Sequence, residues 1–307
     1  MNLIRKFQQL FIVVILACFI SCKSDNKLQD PKLQELQNAF NKNPNQESYD
    51  KLITSYLELM QKHSKDKPMI EEALASCFAA SEKIGAKTQQ VIFLNNLMKD
   101  YPDRPDHKEN VVKMIGLLDS LNRTGPADVM SLCYLKAYPN DEKAAQLKAG
   151  IPEKYTLPDS CILDIGRAIF SDTTQKFSEE KARVYVDACE AYALAIPKDE
   201  AAPEFIFKAA ETSNALKTYE KSFALYDWII DAYPKHPRAP MALFMKGFLF
   251  DGTIKDSANA RRFYTEFLEK YPKHEFVKDA KVLLSNIGKS DEQVLQELME
   301  KNKNNNK

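Results

Sequence analysis

Tyr233-Pro234-Lys235-His236-Pro237-Arg238-Ala239-Pro240 is the stretch that decides the fold. Tyr271-Pro272-Lys273-His274 follows at a spacing of 38, and Ile196-Pro197-Lys198-Asp199 precedes at a spacing of 37. Ala202-Pro203 stands in the earlier copy where the central one has Ala239-Pro240. Each phrase closes an amphipathic run. A fixed period of this size marks supersecondary units that cannot bury their apolar faces alone and therefore stack on their neighbours. The period reaches upstream, since Pro68 to Pro105 is 37 residues and Tyr101 to Tyr138 is 37, each tyrosine being followed by proline.

The rhythm breaks once. Tyr138 to Ile196 is 58 residues, 21 more than one period. The surplus surrounds Gly150-Ile151-Pro152 through Leu157-Pro158, where two prolines and a glycine cannot continue a helix. The spacing predicts an interruption with an extra helix over 150–177, and a boundary there between two halves.

Apolar residues elsewhere recur at helical spacing: Leu33, Leu36 and Phe40 after Asp30-Pro31; Tyr49, Leu52, Ile53, Tyr56 and Met60 after Asn43-Pro44; Met69, Ala73, Cys77 and Phe78 after Lys67-Pro68. Ser178 heads a helix carrying Tyr185, Val186, Cys189 and Tyr192, and Ser290 with Gln293 reads as the capping box of a terminal helix. No run alternates at period two long enough to make a strand. The expected class is all-α, an α-solenoid of antiparallel helix pairs with a period near 37 and no sheet. Degenerate helical repeats occupy 30–149, better-formed ones 178–301 with a C-terminal capping helix, and 302–307 is a low-complexity tail.

Only 8 glycines are present, too few for a fold rich in tight turns, while 44% apolar and 28% charged residues are ordinary for a foldable chain. Lysine plus arginine and aspartate plus glutamate both number 43, so no basic excess points to nucleic acid. The first residues differ in kind. Arg5 and Lys6 precede an apolar core from Leu10 to Ile20, about eleven residues against the roughly 20 a membrane span needs. It ends in Phe19-Ile20-Ser21-Cys22.

Two resemblances follow. The Ser21-Cys22 junction resembles the lipobox of bacterial lipoproteins, with Phe19 where leucine is usual. The resemblance implies a signal peptide over 1–21, lipidation of Cys22, and a polar tether over 22–29. It also implies an outer-membrane location through the N-terminal lipid. The late repeats resemble the tetratricopeptide repeat. Gly247 and Phe250 fill its first-helix positions, and Ala260, Tyr264, Phe267 and Pro272 follow in steps of 4, 3 and 5; Ser222, Tyr226, Ile229 and Pro234 repeat those steps after Ala210. The period exceeds the usual 34 or so, and Gly247 to Ala260 is one residue longer than the pattern. Long-period copies behind a lipobox resemble bacterial envelope lipoproteins, including the repeat lipoprotein of the β-barrel assembly machine.

The resemblance places the partner-facing inner surface on the first helix of each pair. It falls on Phe207 in one copy, beside Glu204, Glu211 and Asn214, and on Met241, Phe244, Phe248 and Asp251 in the next. Outward Met and Phe beside acids make an amphipathic peptide groove; the alternative is that they pack against the adjacent repeat.

Chemistry is otherwise sparse. His236 and His274 share a repeat position and read as turn residues, and no His or Cys spacing suits zinc. Phosphate loops and nucleophile elbows are missing, so no catalytic residue, metal or cofactor is expected. Acidic pairs such as Glu71-Glu72 sit in first helical turns, where the helix dipole favours them. Spacing alone does not establish a Cys161–Cys189 disulfide. The expected function is a lipid-anchored, non-enzymatic scaffold for protein partners in the bacterial envelope, possible roles including outer-membrane or envelope complex assembly. A glycan-acting hydrolase or lyase, or a small-ligand receptor on the concave face, are the alternatives.

Overall fold

Helices begin where the chain supplies a side-chain acceptor for the first free N–H groups. In the computed structural model, which describes residues 28, 30–170, 177–290, 292, 293, 295, 296 and 299, Asp30 accepts from Lys32 and Leu33 and opens α1 (Pro31–Lys42). Asn45 and Ser48 form a reciprocal box at α2 (Gln46–Lys62). Asp66 caps α3 (Lys67–Lys83), and α4 spans Lys87–Asp100. These four make the first of two compact units, which ends at Tyr101. Each packs on the next, and the stripes anticipated above are its core, with Leu33, Phe40, Tyr49, Leu52, Tyr56, Met69 and Cys77 all buried.

The second unit begins at Pro102. It contains α5 (His107–Ser120), α6 (Thr124–Ala137), α7 (Ala144–Gly150), α8 (Pro158–Arg167), α9 (Glu179–Ala195), α10 (Ala202–Ala215), α11 (Tyr219–Ala232), α12 (Arg238–Leu249), α13 (Ser257–Lys270) and α14 (Val277–Asn286). Among the described residues there is no strand, and the fold is all-α. Successive helices joined by short turns pack on one another as antiparallel pairs, the arrangement of a helical repeat.

The division of the chain therefore falls after Tyr101 and not at the 150–177 interruption. That stretch lies inside the second unit. α6 packs directly on α9 across it, and α8 leans on both. Two glycines make room. A Cβ on Gly125 would lie 3.1 Å from Val184, and one on Gly166 would lie 2.8 Å from the Tyr185 ring. Cys161 and Ile162 bury the inner side of α8, so the extra segment adds a helix to a continuing stack.

Within each late pair a small residue on one helix receives an aromatic from the other. A Cβ on Gly247 of α12 would lie 2.7 Å from the Tyr264 ring of α13. One pair earlier, Ser222 of α11 donates its hydroxyl to the Ala210 carbonyl of α10 at 2.9 Å. Ala210, Ser222, Tyr226, Ile229, Ala260, Tyr264 and Phe267 have no measurable exposure. Close approach strips both helices of water, and each fully buried large side chain is worth roughly 1.5–3 kcal/mol.

The turn inside each pair repeats as well. Gly85, Asn122 and Lys217 all adopt left-handed backbone, at φ of 69°, 58° and 58°. The next N–H in each case reaches the carbonyl five residues back: Ala86 to Ser81, Arg123 to Leu118, Thr218 to Ser213. This is the Schellman closure. After α12 the residue in excess of the repeat pattern is absorbed by a π-helical turn, Phe250–Ile254. Lys255 takes the left-handed conformation there at φ 64°, and the Asp256 N–H reaches six residues back to Phe250. Phe250 pins the wider turn by stacking between Phe223 and Phe263, at centroid distances of 4.5 and 5.4 Å.

At the C-terminal end the expected capping box forms. Ser290 Oγ accepts the Gln293 N–H at 3.3 Å, and Gln293 Oε1 accepts the Ser290 N–H at 2.8 Å. Of the apolar face expected to shield the last repeat, Leu295 and Met299 are exposed, while Val294 and Leu298 lie outside the described residues.

The Gly247 contact gives a direct test. Gly247→Ala in the full chain is expected to lower unfolding free energy by about 1–3 kcal/mol, because the new methyl drives into a buried ring that cannot turn away. Thermal and denaturant unfolding measure it. An unchanged midpoint would mean that the α12–α13 approach is looser than drawn.

Candidate interaction surfaces

The residues assigned to the inner face divide into two kinds. Phe207 on α10 is buried, at 3% exposure, with its ring 5.6 Å from that of Tyr226. Arg238, at the start of α12, lies over that ring at 4.5 Å. Its Nε donates to Glu204 at 2.8 Å and its Nη1 to the Met241 sulfur at 3.3 Å. Arg238 thus staples α10 to α12, and its hydrogen bond, aided by its charge, holds the Glu204 carboxyl below the usual range. It was not singled out from the sequence, where it reads as one more charge after a proline.

Phe244 is partly buried and packs on the core of the last pair, with its ring 5.8, 5.5 and 5.1 Å from Tyr264, Phe267 and Phe276. Phe248, one turn on, is 45% exposed and stacks on Phe244 at 6.5 Å. Met241 is partly buried on the same stripe, and Asp251 sits half-exposed in the π-turn. The structure therefore brings Met241, Phe244 and Phe248 together along α12 and places Phe207 in the packing beneath Arg238. Cys22 lies outside the described residues.

A second feature comes from the turns between pairs. Tyr134 donates to Asp141 at 2.7 Å, and Tyr192 donates to Asp199 at 2.9 Å, each seven residues on. Each aspartate also accepts the N–H two residues ahead, from Lys143 and Ala201. A lysine from the preceding part of the stack completes each set: Lys108 binds Asp141, and Lys136 binds Asp199 at 2.6 Å. In the two later copies histidine occupies the aspartate's place. His236 Nδ1 accepts the Arg238 N–H and His274 Nδ1 the Phe276 N–H, both at 3.2 Å. The tyrosine changes with it, to Ile229 and Phe267, and the Phe267 ring meets His274 edge-on at 5.5 Å. A turn histidine and a turn aspartate do one job, accepting the main-chain N–H two residues ahead where the next helix is entered, and the residue seven back switches from donor to apolar packing. The paired Tyr–Asp spacing at 134/141 and 192/199 was the sequence signal for this, hidden by the interruption between them.

The 102–105 and 196–199 turns, with the start of α5 and the end of α6, line a cleft of about 540 Å³. Pro102, Pro105, Pro197, Tyr138 and Ile196 supply apolar wall; Arg104, Lys108, Lys136 and Lys198 supply cations. His107 lies against it with Nε2 at 3.4 Å from the Ala195 carbonyl. Burial holds its pKa down, so the ring is neutral near pH 7, and its Nδ1 is buried with no partner among the described residues.

Among the described residues no group of three or more His, Cys, Asp or Glu side chains comes together to hold a metal ion, and no helix is long and apolar enough to cross a membrane. Cys77, Cys133, Cys161 and Cys189 are buried free thiols, with Cys161 and Cys189 pushed up to about 12 by burial. Asp128 on α6 has its carboxyl raised to about 6 by burial and by the charge of Asp119, and burial raises Asp187 and Glu211 as well.

The turn network predicts a pH response of known sign. The Lys108 ammonium, the Tyr134 hydroxyl and the Lys143 N–H hold the Asp141 carboxyl far below the usual range. Burial alone would raise Asp199, but Lys136, the Ala201 N–H and Tyr192 outweigh it and leave it lowered. A carboxyl depressed in the folded state stabilises above its unfolded pKa, about 3.9, and loses that contribution as pH falls through the folded value. Asp141→Asn is therefore expected to lower the melting temperature most at neutral pH, with the gap to the parent chain closing below about pH 4. Parallel melting curves across that range would show that Asp141 is not charged against Lys108. Compared with known proteins, the chain matches no protein-family model and no curated sequence.

Proposed function

We propose that this chain is a lipid-anchored helical-repeat scaffold that binds a protein partner in the bacterial envelope, serving the assembly of outer-membrane or other envelope complexes. The observation that carries the reading is Phe248, a half-exposed ring stacked on a packed one, on a helix that Arg238 staples to α10. A large aromatic held rigidly at a surface loses little entropy when a partner covers it, which is why such residues dominate binding energy. Met241 beside it adds an adaptable apolar contact. The conspicuous polar groups of the repeats are spent on capping and on joining turns, in keeping with a non-enzymatic role. The anchor rests on Ser21-Cys22 behind a short apolar core. Two or more acyl chains on Cys22 would hold the protein on the outer membrane, since one alone is marginal.

Two substitutions separate binding from folding. Phe248→Ala is expected to abolish cross-linking of the envelope partner captured by the parent chain in intact cells, with the melting temperature unchanged. Phe244→Ala, which empties a packed position, is expected to cost about 2–4 kcal/mol of stability. Equal capture by the Phe248→Ala chain would end the α12 assignment. For the anchor, Cys22→Ala is expected to lose metabolic labelling by a fatty-acid analogue; retained label would place the lipid elsewhere or remove it from the account.

A further inference from the structure

We infer that the cleft between the 102–105 turn, the start of α5, the end of α6 and the 196–199 turn is a binding site for a carboxylate carried on an apolar body. At about 540 Å³ it falls within the roughly 300–1,000 Å³ typical of small-ligand sites. The hydrogen-bonding inventory of its wall decides what it takes.

The acceptors on the wall are in use. Asp199 accepts from Lys136, Tyr192 and the Ala201 N–H. Asp141, which draws Lys108 to the wall, accepts also from Tyr134 and the Lys143 N–H. The donors are not exhausted, because an ammonium carries three N–H groups. Lys108 directs itself at Asp141 and lies over the Tyr138 ring, which leaves one. Lys136 serves Asp199 and the Tyr192 hydroxyl and lies 5.7 Å from the centre of the Tyr192 ring, so it is fully engaged. Lys198 meets Asp103 alone, at 2.7 Å, in a pair whose side chains are 83% and 76% exposed. A pair so open to water contributes little, and its carboxylate exchanges readily for another. The wall thus offers spare donors and a replaceable anion.

Charge balance then selects the ligand. Arg104 is matched by Asp106, Lys108 by Asp141, Lys136 by Asp199 and Lys198 by Asp103. A monoanion that takes the place of Asp103 on Lys198 turns one exposed carboxylate out into water, whereas a phosphate dianion sets two charges against the one cation released. The proline, tyrosine and isoleucine walls call for an apolar remainder. A small organic acid and the C-terminus of a peptide share this chemistry. The site is independent of the α12 face, so the failure of either leaves the other standing.

Calorimetry and amide NMR on the full chain test it, with 4-phenylbutyrate and the peptide acetyl-Ala-Val-Phe as free acids and the amide of each as control. At least one acid is expected to bind saturably, moving resonances of residues 102–108, 136–138 and 195–199, with its amide at least about tenfold weaker. Binding of phenylbutyrate alone identifies a small organic acid, and binding of the peptide alone a chain terminus. Lys198→Gln, at a position too exposed to matter for folding, is expected to weaken the acid about three- to tenfold, and Lys198→Arg to retain it. Equal binding of acid and amide, shifts elsewhere, an unaltered Lys198→Gln chain, or no saturation by ~10 mM would each overturn the assignment.

Discussion

The close approach of paired helices is the constraint on which the second unit depends. Tyr264 lies where any side chain on Gly247 would stand, and Ser222 is near enough to α10 to bond a main-chain carbonyl. Helices drawn together this tightly expose one apolar ridge per pair, and only the next pair can cover it. Phe244 shows both contacts, since its ring packs on Tyr264 and Phe267 of its partner helix α13 and on Phe276 at the start of the next helix. Removing that approach would leave each pair with a core too thin to stand alone.

Polar groups in this stack serve continuity. The left-handed residue and its five-residue closure return the chain inside each pair. Between pairs, an aspartate or histidine accepts the main-chain N–H two residues ahead and so fixes the turn, and tyrosine or an apolar residue seven back completes it. Where aspartate is used, a lysine from the preceding part of the stack is drawn in, and the lysine-lined cleft is the by-product. Function can arise from such a by-product, because donors gathered for structure retain unused N–H groups. The α12 stripe arises differently: its rings fill the gap to the next pair until Phe248, where the neighbouring surface stops and the aromatic is left in water.

Much of this was legible in the chain itself. Helix starts at Asp30, Ser178 and Ser290, the buried stripes of α1 to α3, and the small-then-aromatic order of the late repeats are local or periodic properties, and local physics enforces them. The extra residue between Gly247 and Ala260 could be counted, but not its outcome as a π-turn clamped by Phe223 and Phe263. The interruption at 150–177 was visible as a broken period and misleading as a boundary, since breakers show where a helix ends and say nothing of what packs across the gap. That α6 meets α9 there is settled by Gly125, whose partner Val184 is distant in sequence, and Gly166 does the same for α8 against Tyr185.

By itself, then, the sequence determined an all-α repeat and its turn residues. Only the tertiary structure decided which apolar residues are spent on packing and which remain exposed. Phe207, Phe244 and Phe248 are indistinguishable by type and spacing, yet one is sealed under Arg238, one fills the gap to the next pair and one faces water. The same holds for the lysines of the turn cleft, whose partners come from other turns of the stack. Periodicity specifies which face of a helix is apolar. What covers that face is a property of neighbours 30 to 60 residues away, and distance in sequence carries no record of it.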